Sequence, residues 1–429
     1  MSIRAGVGTR AMNLPDGCLL FGHPGFRRPA TGTHDPLLVS ALHLRTGVHG
    51  ALFISLDLYG LEAYLCDRIV NAVADATGVH KDRIFIGCTQ THSGPGSVWS
   101  YAWKDDTLAP GPDSVFLESA AQTVVAAAAE ACATTRPVTL GQVAASLPDQ
   151  QDPAPSETTT LAFRQDDGAY AAFLTVSALP PALIAPENTL VSADFPFFFR
   201  ERIEERLGAD IATVHFTAPS AGLALPHRPD DDPFAAARSA GHTLADATLK
   251  ALDKAPWKSF DDSVEIVFCK TTTTLPFRAF PEDLSPLEQA AATPEPGPPP
   301  ADERERAAWR ALMRQRAHAQ AILNLARQKE RGIFDQIAMV YGTAEARRAR
   351  LGNLTLVGLP GNPAPGIADR LKQKLPGDIW VAAHIGGFLQ GDIMTPEQEA
   401  ANLFGAMPSP FASNGVQAMA DALSKPQVT

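Results

Sequence analysis

The chain has 429 residues, of which 45% are hydrophobic and 19% charged. That is enough length and apolar content to bury a large core in one domain or two closely joined ones. A net charge of −11 excludes a surface that draws nucleic acid or anionic lipid by bulk electrostatics.

The N-terminal MSIRAGVGTRAMNLPDG has neither the apolar core nor the small-residue cleavage site of a secretory leader. No window reads as the ~20 apolar residues that cross a bilayer, so a cytoplasmic protein without membrane insertion is expected. The five cysteines, Cys18, Cys66, Cys88, Cys132 and Cys269, are scattered and odd in number. They form no CxxC or Cys/His cluster and read as free thiols in a reducing compartment.

In chain order, residues 37–46 (LLVSALHLRT) and 50–58 (GALFISLDL) read as strands joined at a glycine turn, the second apolar enough to be buried on both faces. Glu62 to Thr77 carries Leu65, Ile69, Val70, Val73 and Ala74 at helical spacing, and Arg83 to Cys88 is again a buried strand. This strand–helix–strand unit predicts a parallel pair. An Ala-rich helix covers 114–134, and strands follow over 138–177 with a hairpin turn at Asp166-Asp167-Gly168. Then come a helix from about Pro196 to Leu207, a strand from Ile211 to Thr217, a helix at about 233–253 and strands around 262–277.

Residues 291–300 (AATPEPGPPP) cannot hold regular hydrogen-bonded structure and read as a surface linker inside a single domain of residues 1–429. The helix of about 302–330 presents Trp309, Leu312, Met313, Ala319 and Leu323 as a packing stripe, and Leu354 to Leu359 is a buried strand. The expected fold is α/β, one mixed β-sheet flanked by helices.

Reactive side chains in such folds gather at the carboxyl ends of strands. Asp57 closes FISLDL, Gln90 and His92 follow IFIGC, Asn362 follows LVGLPG, and His34 immediately precedes the first long strand. Gln90 and His92, two apart in extended chain, would face one site. A carboxylate buried at the end of a strand needs a partner, so an Asp57–His34 or Asp57–His92 pair is expected, the working parts of a general acid/base. Ser220, in TAPSAGL, has a faint nucleophile-elbow flavour but lacks the first glycine, and Ser93 follows His92 in the same loop. His215 and His384 sit on apolar strands and read as hydrogen-bonded core or pocket histidines; with His227 they complete the candidates for a new metal site, which no HxH or HExxH spacing supports.

Several of these segments together resemble the neutral, non-lysosomal ceramidase family: GVGTRAMNLPDG, TGTHDPLLVSALHL, SLDL, THSGPG, NTLVSADFP, VGLPGNP and TPEQEAANLFG, in order along the chain. The resemblance implies the catalytic-domain fold of that family, without its C-terminal immunoglobulin-like domain. It also implies amide hydrolysis at a zinc held by two histidines, a glutamate and a tyrosine. Carried over by position, the first histidine falls on Gln90, the second at about Leu179, the glutamate on Asn362, and the tyrosine on Leu389 or Asp392. The family's serine loop falls on Gly222-Leu223-Ala224-Leu225-Pro226.

Two histidines and a glutamate replaced by Gln, Leu and Asn leave too few donors and too little negative charge for zinc, so neither a metal nor another cofactor is expected. Two functions follow. One is a repurposed, metal-independent enzyme acting on an amide, ester or related small molecule through His34, Asp57 and His92, with Gln90, Asn362, Ser93 and Ser220 binding substrate. The other is a non-catalytic member that binds a ligand or partner in the same place. The oligomeric state is left open by the sequence.

Overall fold

The computed structural model describes residues 3–47, 49–100, 102, 112–148, 157–208, 211–223, 232–258, 266–400 and 407–425. Its elements in chain order are β1 (Arg4–Ala11), β2 (Leu38–Thr46), β3 (His49–Leu56), α1 (Ala63–Thr77), β4 (Ile84–Cys88), α2 (Ser114–Ala133), β5 (Thr139–Ala145), β6 (Thr158–Arg164) and β7 (Tyr170–Ser177). They continue with α3 (Phe195–Leu207), β8 (Ala212–Thr217), α4 (Ala235–Leu252), β9 (Ile266–Thr274), α5 (Ser285–Ala292), α6 (Glu303–Glu330), α7 (Ile333–Tyr341), β10 (Thr343–Leu351) and β11 (Leu354–Gly358). The last are α8 (Gly366–Lys374), β12 (Asp378–Ala382), α9 (Pro396–Ala400) and α10 (Gly415–Ser424), and several two-residue pairings lie between the longer elements.

The fold is α/β with mixed sheets flanked by helices, as expected, and the strands divide among three principal sheets. The first has order β4-β3-β2-β1 with a short edge piece at Arg136–Pro137; the second is β8-β7-β6-β5; the third is β9-β10-β11-β12. Each sheet is antiparallel except for one parallel pair: β3 with β4, β7 with β8, and β11 with β12. The inner faces share one core, in which Phe53 and Phe85 of the first sheet meet Phe216 of the second and Trp380 of the third. Each of these side chains contributes roughly 1.5–3 kcal/mol by leaving water.

Helices cover the outer faces. The apolar stripe of α1, Leu65, Ile69, Val70 and Val73, packs with Phe116, Leu117 and Val124 of α2 over the first sheet. Helices α3 and α4 cover the second sheet through Phe198, Phe199, Ile203 and Leu244. The third is covered by α6, α7, α8 and α10 through Ala321, Leu325, Ile337, Leu371 and Met419. Helix α2 is long and apolar enough to cross a membrane by length and composition, which the sequence reading did not register. Its buried face lies on β1, β2 and α1, close enough that a Cβ at Gly8 would stand 2.2 Å from the Ala127 carbonyl oxygen.

The expected linker is shorter at its start, since α5 runs on to Ala292; beyond it the indole of Trp309 donates to the Gly297 carbonyl and Arg306 to that of Pro300. The expected strand at 262–277 is described only from Ile266, its first residues lying outside the described ones. All five cysteines are free.

One ion pair joins the first and second sheets' layers. Asp57, just past β3, accepts from both terminal nitrogens of Arg200 on α3, at 3.2 and 2.6 Å, and from the Leu38 N–H at 2.9 Å. Both side chains are almost fully buried. Arg200→Met leaves a buried carboxylate with a single backbone donor, so it should cost about 3–5 kcal/mol in urea unfolding. Arg202→Met, which breaks a more exposed pairing with Asp246 and Glu205, should shift the urea midpoint far less.

Candidate functional site

The three parallel pairs end at the same place. Thr217, the last residue of β8, donates its hydroxyl to the Thr89 carbonyl at 2.5 Å and accepts from the Ala383 N–H at 2.8 Å. The Gly386 N–H donates to the Ile86 carbonyl at 2.9 Å, and the Leu359 N–H to that of Ala382 at 2.8 Å. Strand ends from all three sheets are thus tied together, and the residues that follow them fall side by side: Gln90 after β4, Ser220 after β8, Asn362 after β11 and His384 after β12.

A continuous chain of hydrogen bonds runs through this cluster. The Ser220 hydroxyl lies 3.0 Å from Gln90 Oε1 and 3.1 Å from Asn362 Oδ1. It has one proton, which either amide oxygen can accept, and Asn362 Oδ1 also accepts from the Ser220 N–H at 3.0 Å. Asn362 Nδ2 donates to Asp392 Oδ1 at 2.8 Å, and Asp392 Oδ2 accepts from the Met407 N–H at 2.8 Å. Burial pushes the Asp392 carboxyl up to about 6 against these two donors. Tyr59 is hydrogen-bonded to Gln90, and burial holds its phenol well above the usual range.

Rings surround Tyr59: His92 at 5.3 Å between centroids, His384 at 5.6 Å and Phe388 at 6.1 Å, with His23 4.9 Å beyond His92. His384 is buried, and neither of its ring nitrogens has a hydrogen-bond partner among the described residues. Burial lowers its imidazole to about 3, so it is neutral. Among the described residues other than glycine, four have φ between +56° and +69°: Gln90, Asp194, His384 and Gln390, and all four are buried. For side chains of this size that backbone region costs of order 1 kcal/mol or more each.

Some expected residues meet here and others do not. Gln90, Ser220 and Asn362 form one network. Gln90 and His92 both reach Tyr59, though not by strand alternation, because the strand stops at Cys88 and Gln90 turns to positive φ. Ser93 shapes the loop instead: its carbonyl accepts from Ser192 N–H at 3.0 Å, and its hydroxyl lies 3.5 Å from Asn188 Nδ2. The expected Asp57–histidine pair does not form. A guanidinium offers two parallel N–H donors that match both carboxylate oxygens, and Arg200 occupies them. His34 pairs with its own neighbour, its Nδ1 2.8 Å from Asp35 Oδ2.

His215 bonds Thr175 through Nδ1 at 2.9 Å as a core histidine, whereas His227 and Ala224-Leu225-Pro226 lie outside the described residues. Of the two positions offered for the tyrosine, Asp392 enters the network and Leu389 packs in the apolar core. Tyr59 was missed by the sequence reading; its only signal is its place two residues past Asp57.

No protein-family model matches the sequence, and no curated protein matches it. Among solved structures, the neutral ceramidase from Pseudomonas aeruginosa superposes with a TM-score of 0.70 at 14% identity, over 99% of this chain and 73% of that one. A ceramidase complexed with C2 gives 0.68 at 13% identity, over 98% and 74%. The chain has a neutral-ceramidase-like fold. The likeness carries the three sheets and their helices, and at this identity it speaks for the fold alone.

Beside this cluster, Glu62 fixes the segment that passes Tyr59. It accepts from the Trp99 N–H at 2.5 Å and from the Tyr341 hydroxyl at 2.8 Å, and burial raises it to about 7. Its folded value lies above the usual 4.5, so its contribution to stability is complete below pH ~4.5 and is lost as pH rises through 7. In urea unfolding, the stability of the wild type relative to Glu62→Gln should therefore fall by up to about 3 kcal/mol between pH 4.5 and pH 8; equal differences at the two pH values would contradict this.

Proposed function

We propose that this chain is a metal-independent enzyme on a ceramidase-like scaffold, acting on an amide, ester or related small molecule at the Gln90–Ser220–Asn362–Asp392 cluster. The observation that carries the reading is His384. A neutral imidazole is held buried in strained backbone beside Tyr59 with both nitrogens unpartnered among the described residues, although leaving such groups unmade costs about 1–3 kcal/mol. A polar substrate entering the cluster would supply the partners the chain itself does not.

The donor set argues against a zinc ion here. Gln90 and Asn362 present neutral amides whose oxygens already accept from Ser220, and Leu179 is packed in an apolar cluster with Phe195 and Phe199. Among the described residues no group of three or more His, Cys, Asp or Glu side chains could hold a metal. Zinc is held by imidazole, thiolate and carboxylate, of which only Asp392 remains at these positions.

In this reading Tyr59, protonated at all working pH values, and His384 bind the polar head of the substrate. Asp392, ionised above pH ~6, takes a proton from the attacking water and returns it to the leaving group. A second reading, ligand binding without turnover, is supported by Ser220: its hydroxyl is held by amides, which cannot accept its proton, so it is no activated nucleophile.

Short N-acyl p-nitroanilides, with chain purified free of a histidine tag, separate these readings. The enzyme should hydrolyse them equally with and without chelator, lose activity as pH falls below about 6, and lose about 10²–10⁴-fold in kcat on Asp392→Asn. Stoichiometric zinc with chelator-sensitive activity overturns the proposal. A ligand-induced rise in Tm without product assigns the binding role instead.

A further inference from the structure

A second group of titratable side chains lies outside this cluster and shares no residue with it. His34 is at the start of the chain leading into β2, and its Nδ1 lies 2.8 Å from Asp35 Oδ2. Asp35 is fully buried and tightly held: Oδ2 also accepts from the Ser192 hydroxyl at 2.5 Å, and Oδ1 from the Ala193 N–H at 2.8 Å. Those contacts fix the carboxylate, and the carboxylate fixes which way the imidazole turns and which nitrogen carries its proton. With Nδ1–H given to Asp35, the lone pair of neutral His34 is on Nε2.

The ring itself is held by aromatic contacts. It stacks on Phe234 at 3.8 Å and 19°, with Phe198 5.7 Å and Phe197 6.3 Å away. About a quarter of the side chain remains exposed, and Nε2 makes no hydrogen bond to any described residue. An imidazole oriented by a buried carboxylate, clamped between aromatic rings and open at its second nitrogen is the arrangement of a positioned general base. A merely structural histidine of this kind would be expected to spend both nitrogens on the protein.

We propose that His34 and Asp35 form a second proton-transfer site, one that hydrolyses small esters whose apolar part lies against the phenyl groups beside the imidazole. A water adds to the acyl carbon as Nε2 takes its proton. The tetrahedral adduct then breaks its bond to the alcohol oxygen, and that oxygen leaves with the proton from Nε2. Asp35 stabilises the imidazolium between the two transfers and is a positioning residue. Nothing is oxidised or reduced, and water is the only co-reactant.

The probe is p-nitrophenyl acetate with the full chain. His34→Gln should lower kcat at least ten-fold with KM within two-fold of wild type. Asp35→Asn should lower kcat similarly, again with KM kept. His80→Gln, which removes an exposed histidine 3.7 Å from Asp82, should change neither. Because substitutions at the buried Asp35 can impair folding, the wild type is also treated with diethyl pyrocarbonate and mapped by peptide mass spectrometry. Loss of esterolysis should track modification of His34 and be reversed by hydroxylamine.

Wild type that hydrolyses the ester no faster than buffer overturns the proposal. So does activity that survives full modification of His34 or the His34→Gln change. Loss on Asp392→Asn with His34→Gln unaffected overturns it too, and assigns esterolysis to the other cluster.

Discussion

The arrangement depends on the hydrogen bonds that tie three strand ends together around Thr217. A parallel pair has unpaired backbone groups where its strands stop, and those groups must find partners if the ends are buried. Here each sheet uses the ends of another: Thr217 reaches Thr89 with its hydroxyl and receives Ala383, while Gly386 reaches Ile86. The backbone accounting that closes the three sheets on one another also sets Gln90, Ser220, Asn362 and His384 within reach of each other. The site follows from how the sheets are terminated.

Two kinds of polar burial surround that junction. Asp57–Arg200 and Asp194 are structural: Asp194 caps α3 through Phe195 N–H at 2.7 Å and accepts from Leu183 and Ile184 at 3.0 and 3.1 Å, so its lone pairs are consumed by the chain. The cluster around Tyr59 differs in kind. Its hydrogen bonds run through amides and one carboxyl held near 6, and its backbone is strained at Gln90 and His384. The large shared core of Phe53, Phe85, Phe216 and Trp380 offsets strain of a few kcal/mol without difficulty.

The fold was legible where apolar runs were long. FISLDL, IFIGC and LTLVGL declared themselves as buried strands, and α6 is capped by Asp302 almost where its pattern begins. Strands with mixed faces were not visible: β1 is broken by Gly6 and Gly8, and β10 reads TAEARRARL, whose arginines mask an alternation of buried alanines. The division into three sheets rests on pairings between distant segments, which local periodicity does not encode.

The candidate site was legible to the extent that strand ends collect chemistry, which brought out Gln90 and Asn362, while Ser220 drew notice through a faint nucleophile-elbow pattern. Partner choice was not. Asp57 is satisfied from 143 residues away by Arg200, and a search for histidines near it could not find an arginine on a later helix. His34 was identified, yet its partner is the next residue, Asp35.

His384 differs in its hydrogen bonding from Gln90, Asn362 and Asp392. Those three satisfy one another and Ser220 almost completely, so an inert core could have been built from them at little cost. Leucine or phenylalanine in place of the His384 imidazole, whose nitrogens have no partner among the described residues, would remove roughly 1–3 kcal/mol of unmade hydrogen bonding. The chain keeps both the histidine and the positive φ beside the Tyr59 phenol. Among the described residues, Gln90, Ser220, Asn362 and Asp392 satisfy one another within the chain, whereas neither His384 nitrogen is satisfied.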